Sequence, residues 1–167
     1  MRWLVDGYNV IRREPGLSAR EQVGLQVGRH ALCQLLLAAA RASGDQFTIV
    51  FDGTRGGGSA FSSRGVRVVF SKEPEQADHL IARLATPGVA VVSNDRDVRR
   101  AADRAGAIAI TSDEFLARVL APPTPDEDEE DDPDPVPKKG NPRRLPKKAR
   151  AAKRALKRLD QDRKRSS

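Results

Sequence analysis

The chain has 167 residues, room for one domain of ordinary size and too little for two. Its net charge of +7 is unevenly spread: residues 1–120 carry a net +3, residues 121–137 a net −8 and residues 138–167 a net +12, which points to a folded body with a charged extension and a polyanionic partner. The lone Cys33 excludes an internal disulfide, no Cys or His pair has zinc-ligand spacing, and the longest apolar run, Leu35 to Ala40, is far short of the roughly 20 residues of a membrane span. No signal-peptide pattern opens the sequence, so the chain reads as cytoplasmic, with no membrane partner.

Apolar periodicity switches repeatedly from residue 2 to 120. Arg2-Trp3-Leu4-Val5 predicts a short strand that ends at Asp6-Gly7. Ser18 and Glu21 have capping-box spacing, and Val23, Val27, Leu32, Leu35, Leu36 and Ala39 carry one helix to Gly44. Gly24 and Gly28 inside that helix suggest close backbone packing. Phe47 to Phe51 is a second strand, closed by Asp52-Gly53. Five glycines from Gly53 to Gly65 make a mobile loop, free to close over a ligand. Val66 to Phe70 is a third strand, and a helix follows Pro74 to about Ala85. Val89 to Val92 is a fourth strand, and Asn94 or Asp95 opens a helix that Gly106 ends. Ala107 to Ile110 is a fifth, and Ser112 caps a last helix, Glu114 to Leu120. Alternation with short connections predicts an α/β domain, its mostly parallel sheet of about five strands covered by helices on both faces.

Beyond residue 120 the composition changes. Six prolines and eight acids in residues 121–137 leave nothing apolar to bury and predict an extended, self-repelling linker. Residues 147–159 are strong helix formers with Ala152, Leu156 and Leu159 in a thin apolar stripe. Self-repulsion is expected to keep this basic tail, 138–167, disordered until a polyanion such as RNA neutralises it.

Parallel strands place Asp6, Asp52 and Ser93-Asn94-Asp95 on one edge of the sheet, where chemistry collects in such folds. Asp78, one turn into the helix after the third strand, falls at the rim of that helix's apolar stripe. Asp-Gly is also an ordinary turn dipeptide and Asp95 an ordinary helix cap, but the same acid at three strand ends and a rim position argues for a joint site. Like charges near 4 Å repel by on the order of 4 kcal/mol at an effective dielectric of 20, so a cation, a base or a proton must offset them. Oxygen donors without His or Cys suit Mg²⁺ or Mn²⁺, which activate water and neutralise charge on a phosphate. No dinucleotide or Walker fingerprint is present, Asp6-Gly7-Tyr8 is not a phosphoaspartate motif, and His30 and His79 read as surface or core residues.

Val5-Asp6-Gly7-Tyr8-Asn9-Val10-Ile11 resembles the opening of NYN domains, a branch of the PIN-like nucleases. Phe51-Asp52-Gly53, the stretch Phe70 to Asp78 and Val92-Ser93-Asn94-Asp95-Arg96 follow in the order of the YacP-like subgroup, and Gly106-Ala107 with Ser112 to Leu116 resemble its closing strand and helix. The resemblance covers about residues 2–120. It implies a three-layer PIN-like domain and a metal-dependent endoribonuclease acting on single-stranded RNA, with some relatives working on ribosome-associated messages. By position it implies Asp6, Asp78 and Asp95 as metal ligands, Asp52 as a ligand or an acid just behind one, and Asn9 as an orienting amide. One departure stands out: relatives often carry Glu four residues after the helix aspartate, where this chain has Ala82.

The expected organisation is a nuclease domain over 1–120, an acidic Pro-rich linker over 121–137 and a basic tail over 138–167. Basic residues around the acids, Arg12, Arg13, Arg55, Arg64, Lys72 and Arg96, are expected to steer RNA. The alternative is a catalytically weak RNA- or ribosome-binding module; a phosphomonoesterase is a third and poorer reading.

Overall fold

A computed structural model describes residues 1–53, 61–121 and 147–164. The acidic run 126–134, Arg55 and the triple glycine 56–58 lie outside the described residues.

Six strands pair into one sheet: β1 (Arg2–Asp6), β2 (Gln46–Phe51), β3 (Phe61–Ser63), β4 (Val66–Phe70), β5 (Val89–Val92) and β6 (Ile108–Ile110). Their order is β3-β4-β2-β1-β5-β6, with every pair parallel except β3 with β4. The fold class expected from the alternation is therefore the one observed. The added strand is β3, which the glycine-rich reading had absorbed into a loop. It is three residues long and antiparallel at the sheet edge, too short to show a period.

Seven helices accompany the sheet among the described residues: α1 (Gly7–Arg13), α2 (Pro15–Val23), α3 (Leu25–Ser43), α4 (Ala77–Leu84), α5 (Arg96–Arg104), α6 (Ser112–Leu120) and α7 (Lys147–Lys164). The single helix expected over 18–44 is really the α2–α3 pair. Its first turn begins at Pro15, capped by the Glu14 side chain on Leu17 N–H, because proline is preorganised for that position. Gly24 is fully extended and breaks the run. Gly28 then lets α3 lie against α2, since a Cβ there would sit 2.9 Å from the Glu21 Cα. Likewise Thr111, not Ser112, caps α6, in a reciprocal capping box with Glu114.

Strand alternation divides the core in two. Trp3, Val5, Phe47, Ile49, Phe51, Val68, Ala90, Val92 and Ile110 face α1, α3, α6 and α7. Leu4, Val50, Val89 and Val91 face α4 and α5 through Leu80, Ile81, Val98 and Ala102. The chain winds outward from β1 in both directions, so the order of strands reverses between β1 and β5, the crevice where open α/β sheets hold ligands.

The basic segment behaves differently from the expectation of a tail that orders only on a polyanion. Helix α7 packs on α3, α6 and β6, with Ala152, Ala155 and Leu159 buried and Leu156 half-buried. Arg118 Nε donates to the Leu156 carbonyl at 3.3 Å, and Lys148 pairs with Asp103 at 2.8 Å. The stripe noted in the sequence is thus a core-facing side. Small alanines let the helix approach closely, and burial outweighs self-repulsion that exposed cations feel only weakly across water.

Candidate active site at the carboxyl edge of the sheet

Asp6 ends β1 on the same face as Leu4, towards α4 and α5, and is 8% exposed. It accepts from Ser93 Oγ at 2.9 Å and, as the cap of α1, from Asn9 N–H at 3.3 Å. Gly7 follows because nothing larger fits: a Cβ would fall 2.3 Å from the Phe51 ring. Burial pushes the Asp6 carboxyl up to about 6; the hydrogen bonds from Ser93 and Asn9 oppose that rise, and the Asp78 and Asp95 carboxylates add to it.

Asp78 lies in the first turn of α4. Its carboxyl is also raised, by partial burial first and then by Asp95, with His79 opposing and Asp52 and Asp97 adding smaller pushes. Asp95 caps α5, its Oδ1 accepting from Asp97 N–H at 2.7 Å and Val98 N–H at 3.2 Å. Asp52 follows β2 and accepts from Ser71 Oγ at 3.4 Å. Gly53 must be glycine, since a Cβ would meet the Ser71 carbonyl oxygen at 2.1 Å, and its N–H donates to Ser71 Oγ at 3.2 Å. The four aspartates read from the sequence therefore feel one another.

Asn9, the expected orienting amide, fixes this edge together with Ser93, Asn94 and Ser112, whose part the sequence did not single out. Ser93 Oγ accepts from Asp95 N–H at 3.0 Å while donating to Asp6, so one hydroxyl ties two acids. Asn9 Oδ1 accepts from Asn94 N–H at 2.9 Å and Ser112 Oγ at 2.8 Å; Asn94 in turn accepts from Ser112 N–H and donates to Asp113. The loops after β1, β5 and β6 are laced together. The readable signal for Ser93 was its parity with Val89 and Val91, which turns it to the face that Asp6 shares.

Arg29 of α3 also carries no signal in the sequence pattern. It is 4% exposed, bonds the Tyr8 hydroxyl, and lies within 5.0 to 5.4 Å of the ring centres of Tyr8, Phe51 and Phe70. Those rings belong to the segments that carry Asp6, Asp52 and Ser71, so a buried cation clamps three strand ends.

The basic residues separate. Lys72 and Arg96 are exposed beside Ser71 and Asp95, on the acid edge. Arg12 stacks over the Tyr8 ring at 5.5 Å and reaches Glu21 at 3.7 Å. Arg13 is engaged by Asp113, in a fork of 3.1 and 2.9 Å. Arg64 does not join them: it precedes Val66, which pairs with Phe47, so it stands at the amino edge, opposite the acids.

All carboxylate, hydroxyl and amide donors here are oxygens of the kind a hard divalent cation prefers. A carboxyl raised first by burial and further by the Asp78 and Asp95 carboxylates is likewise what a cation would relieve. As the side chains stand, no three Asp, Glu, His or Cys residues among those described already form a ligand cage.

The doubly wound sheet with acids at its reversal point defines a PIN-like α/β domain. The chain belongs to the YacP-like NYN domain family, whose model matches residues 3–164. That range takes in α7, so the family extends well past residue 120. The "Uncharacterized protein YacP" of Bacillus subtilis (strain 168) is 33% identical over 84 residues, 49% of this chain; the match spans 49% of that relative's length. A crystal structure of Rae1 (YacP) from Bacillus subtilis is similar with a TM-score of 0.63 and 29% identity over 72% of this chain and 74% of that one. A structure of a mutant of the same protein gives 0.62 and 28% over 71% and 74%. Membership points to a nuclease-like, RNA-related function.

Proposed function

We propose that this chain is a Mg²⁺- or Mn²⁺-dependent endoribonuclease that hydrolyses phosphodiester bonds of single-stranded RNA at the crevice between β1 and β5. The observation that carries the reading is Asp6: buried, bonded by Ser93, and raised to about 6 beside Asp78 and Asp95. Asp6, Asp78 and Asp95 would hold the cation, with Asp52 beside them. When bound, the ion supplies a water of lowered pKa and neutralises charge building on the phosphate. Ser93 and Asn9 keep Asp6 ionisable and aimed, while the Asn9–Asn94–Ser112 lattice sets the position of Asp95. Lys72 and Arg96 flank the acids and draw the RNA backbone to them. Ribosome-associated messages and a cytoplasmic setting fall within this reading.

Labelled single-stranded RNA incubated with Mn²⁺, Mg²⁺ or EDTA tests it. Cleavage is expected only with metal, and Asp6→Asn is expected to lower it by about a hundredfold or more. Cleavage that survives EDTA would overturn the metal mechanism.

One observation favours a second reading, an RNA-binding module of little catalytic power. Ala82, one turn beyond Asp78, supplies no carboxylate where relatives often carry Glu. Binding of RNA without cleavage in either metal would decide for it.

A further inference from the structure

A pocket of about 460 Å³ lies far from the acids, between α7 and the edge strand β6. Lys147, Arg150, Arg154 and Arg158 line it, spaced three, four and four residues apart so that they rise in steps of about 4.5–6 Å along one side of α7. Ile108 and Ala151 contribute its floor, and no acidic residue lines it among the described residues. Lys148, on the same helix, is neutralised by Asp103. Lys147, Arg150 and Arg154 make no ion pair among the described residues, although like charges at this spacing repel. The helix that carries them is anchored by the buried Ala152, Ala155 and Leu159. The cations are therefore held in a fixed row, and a row of phosphates would relieve them.

We infer that this groove is a second RNA site, which binds the phosphate backbone of single-stranded RNA apart from the cleaved bond. The inference rests on the reading of RNA as substrate, but not on cleavage. Ile108 opens β6, whereas Asp6 ends β1, so groove and acids lie at opposite ends of strands about 15 Å long. A strand must wrap the sheet edge to occupy both, which only a long RNA can do. Among the described residues no aromatic ring lines the groove, so bases find no stacking partner there and binding is expected to be indifferent to sequence.

The test compares the full chain with Arg150→Gln/Arg154→Gln, both carrying Asp6→Asn so that no cleavage intervenes. Binding of a fluorescent oligouridylate of about 30 nucleotides is measured by anisotropy across salt concentrations. Loss of two phosphate contacts is expected to weaken binding about tenfold and flatten the log-log salt slope by about 1.4, at about 0.7 per single-stranded contact. On the Asp6 background that cleaves, KM for the long RNA should rise with kcat unchanged, while an oligonucleotide of about six residues is cut equally by both. Unchanged affinity and slope would overturn the proposal, as would loss of binding to phosphatidylglycerol vesicles with RNA binding intact. A melting curve checks folding, and Lys147→Gln alone, at an exposed position, repeats the measurement if the double variant is unstable. Should cleavage fail in every metal while the groove variants still lose RNA, the nuclease reading falls and the groove stands.

Discussion

Ser93 donates its hydroxyl to Asp6 Oδ2 at 2.9 Å, joining the ends of two neighbouring strands whose residues are 87 apart in sequence. This bond is one of two that restrain the rise of the Asp6 carboxyl. Ser93→Ala is expected to push that carboxyl further up and to cost about 1–2 kcal/mol of stability, since the amide of Asp95 also loses its acceptor. The pH at which metal-dependent cleavage reaches half its maximum should move to more alkaline values. An unchanged pH profile with reduced stability would leave Ser93 a packing residue only.

Asp6 also sets a pH dependence of folding. Its carboxyl lies at about 6 in the fold against an ordinary 3.8, so between those values the folded chain holds a proton that the unfolded chain releases. Stability is thus greatest below about pH 4 for this group and falls as pH rises through 6, by at most about 3 kcal/mol. Asp78 is shifted in the same direction and adds to the slope. Urea unfolding in EDTA at pH 4.5 and pH 7 should show Asp6→Asn losing much of this dependence. Equal slopes for the two proteins would refute the assignment.

Metal should reverse that trend. A divalent cation favours the ionised carboxylates, so the rise in Tm caused by Mn²⁺ is expected to grow from pH 5 to pH 7 and to vanish in Asp6→Asn. A Mn²⁺ effect independent of pH, or retained by the variant, places the ion elsewhere.

Asn9→Ala removes the acceptor for Asn94 N–H and the Ser112 hydroxyl at once. The expected cost is about 2 kcal/mol, with kcat falling about tenfold and KM little changed, because the loop that carries Asp95 is loosened while Lys72 and Arg96 remain. Ser112→Ala should follow in the same direction and more mildly. Steady-state kinetics with urea unfolding of the same preparations check both.

Leu159 is fully buried although it follows the acidic stretch by more than twenty residues. Leu159→Ala is expected to destabilise the whole body by about 2–4 kcal/mol in a single cooperative transition. A separate low-temperature transition for α7, with the body unaffected, would contradict this.

Much of the fold was legible because apolar runs bounded by Asp-Gly or Gly mark parallel strands unambiguously; Trp3, Ile49, Val68 and Val91 all sit where their runs imply. Helix α1 was not, since Gly7, Asn9 and two arginines look like a turn until Asp6 caps the segment and Val10 and Ile11 find the core. Helix α7 was legible in its helix formers and apolar stripe; its docking on the body was not, because charge density dominates its composition, whereas three small or apolar contacts decide its place. The acids stood out as repeated strand-end residues. Asn9 came only through the family resemblance, and the hydroxyl partners not at all: Ser112 meets Asn9 across 103 residues, a pairing that local spacing cannot reveal.

The late position of α7 in the chain has a consequence for synthesis. Residues from Leu120 to Lys164 take roughly 2–9 s to translate at about 5–20 residues per second. For that interval the sides of α3 and β6 that α7 covers are bare on the nascent chain. The eight acids of 121–137 emerge in the same interval and lend neighbouring nascent chains a mutual repulsion just when they are stickiest. Stalled chains ending near residue 145 should resist aggregation until those acids are changed to their amides.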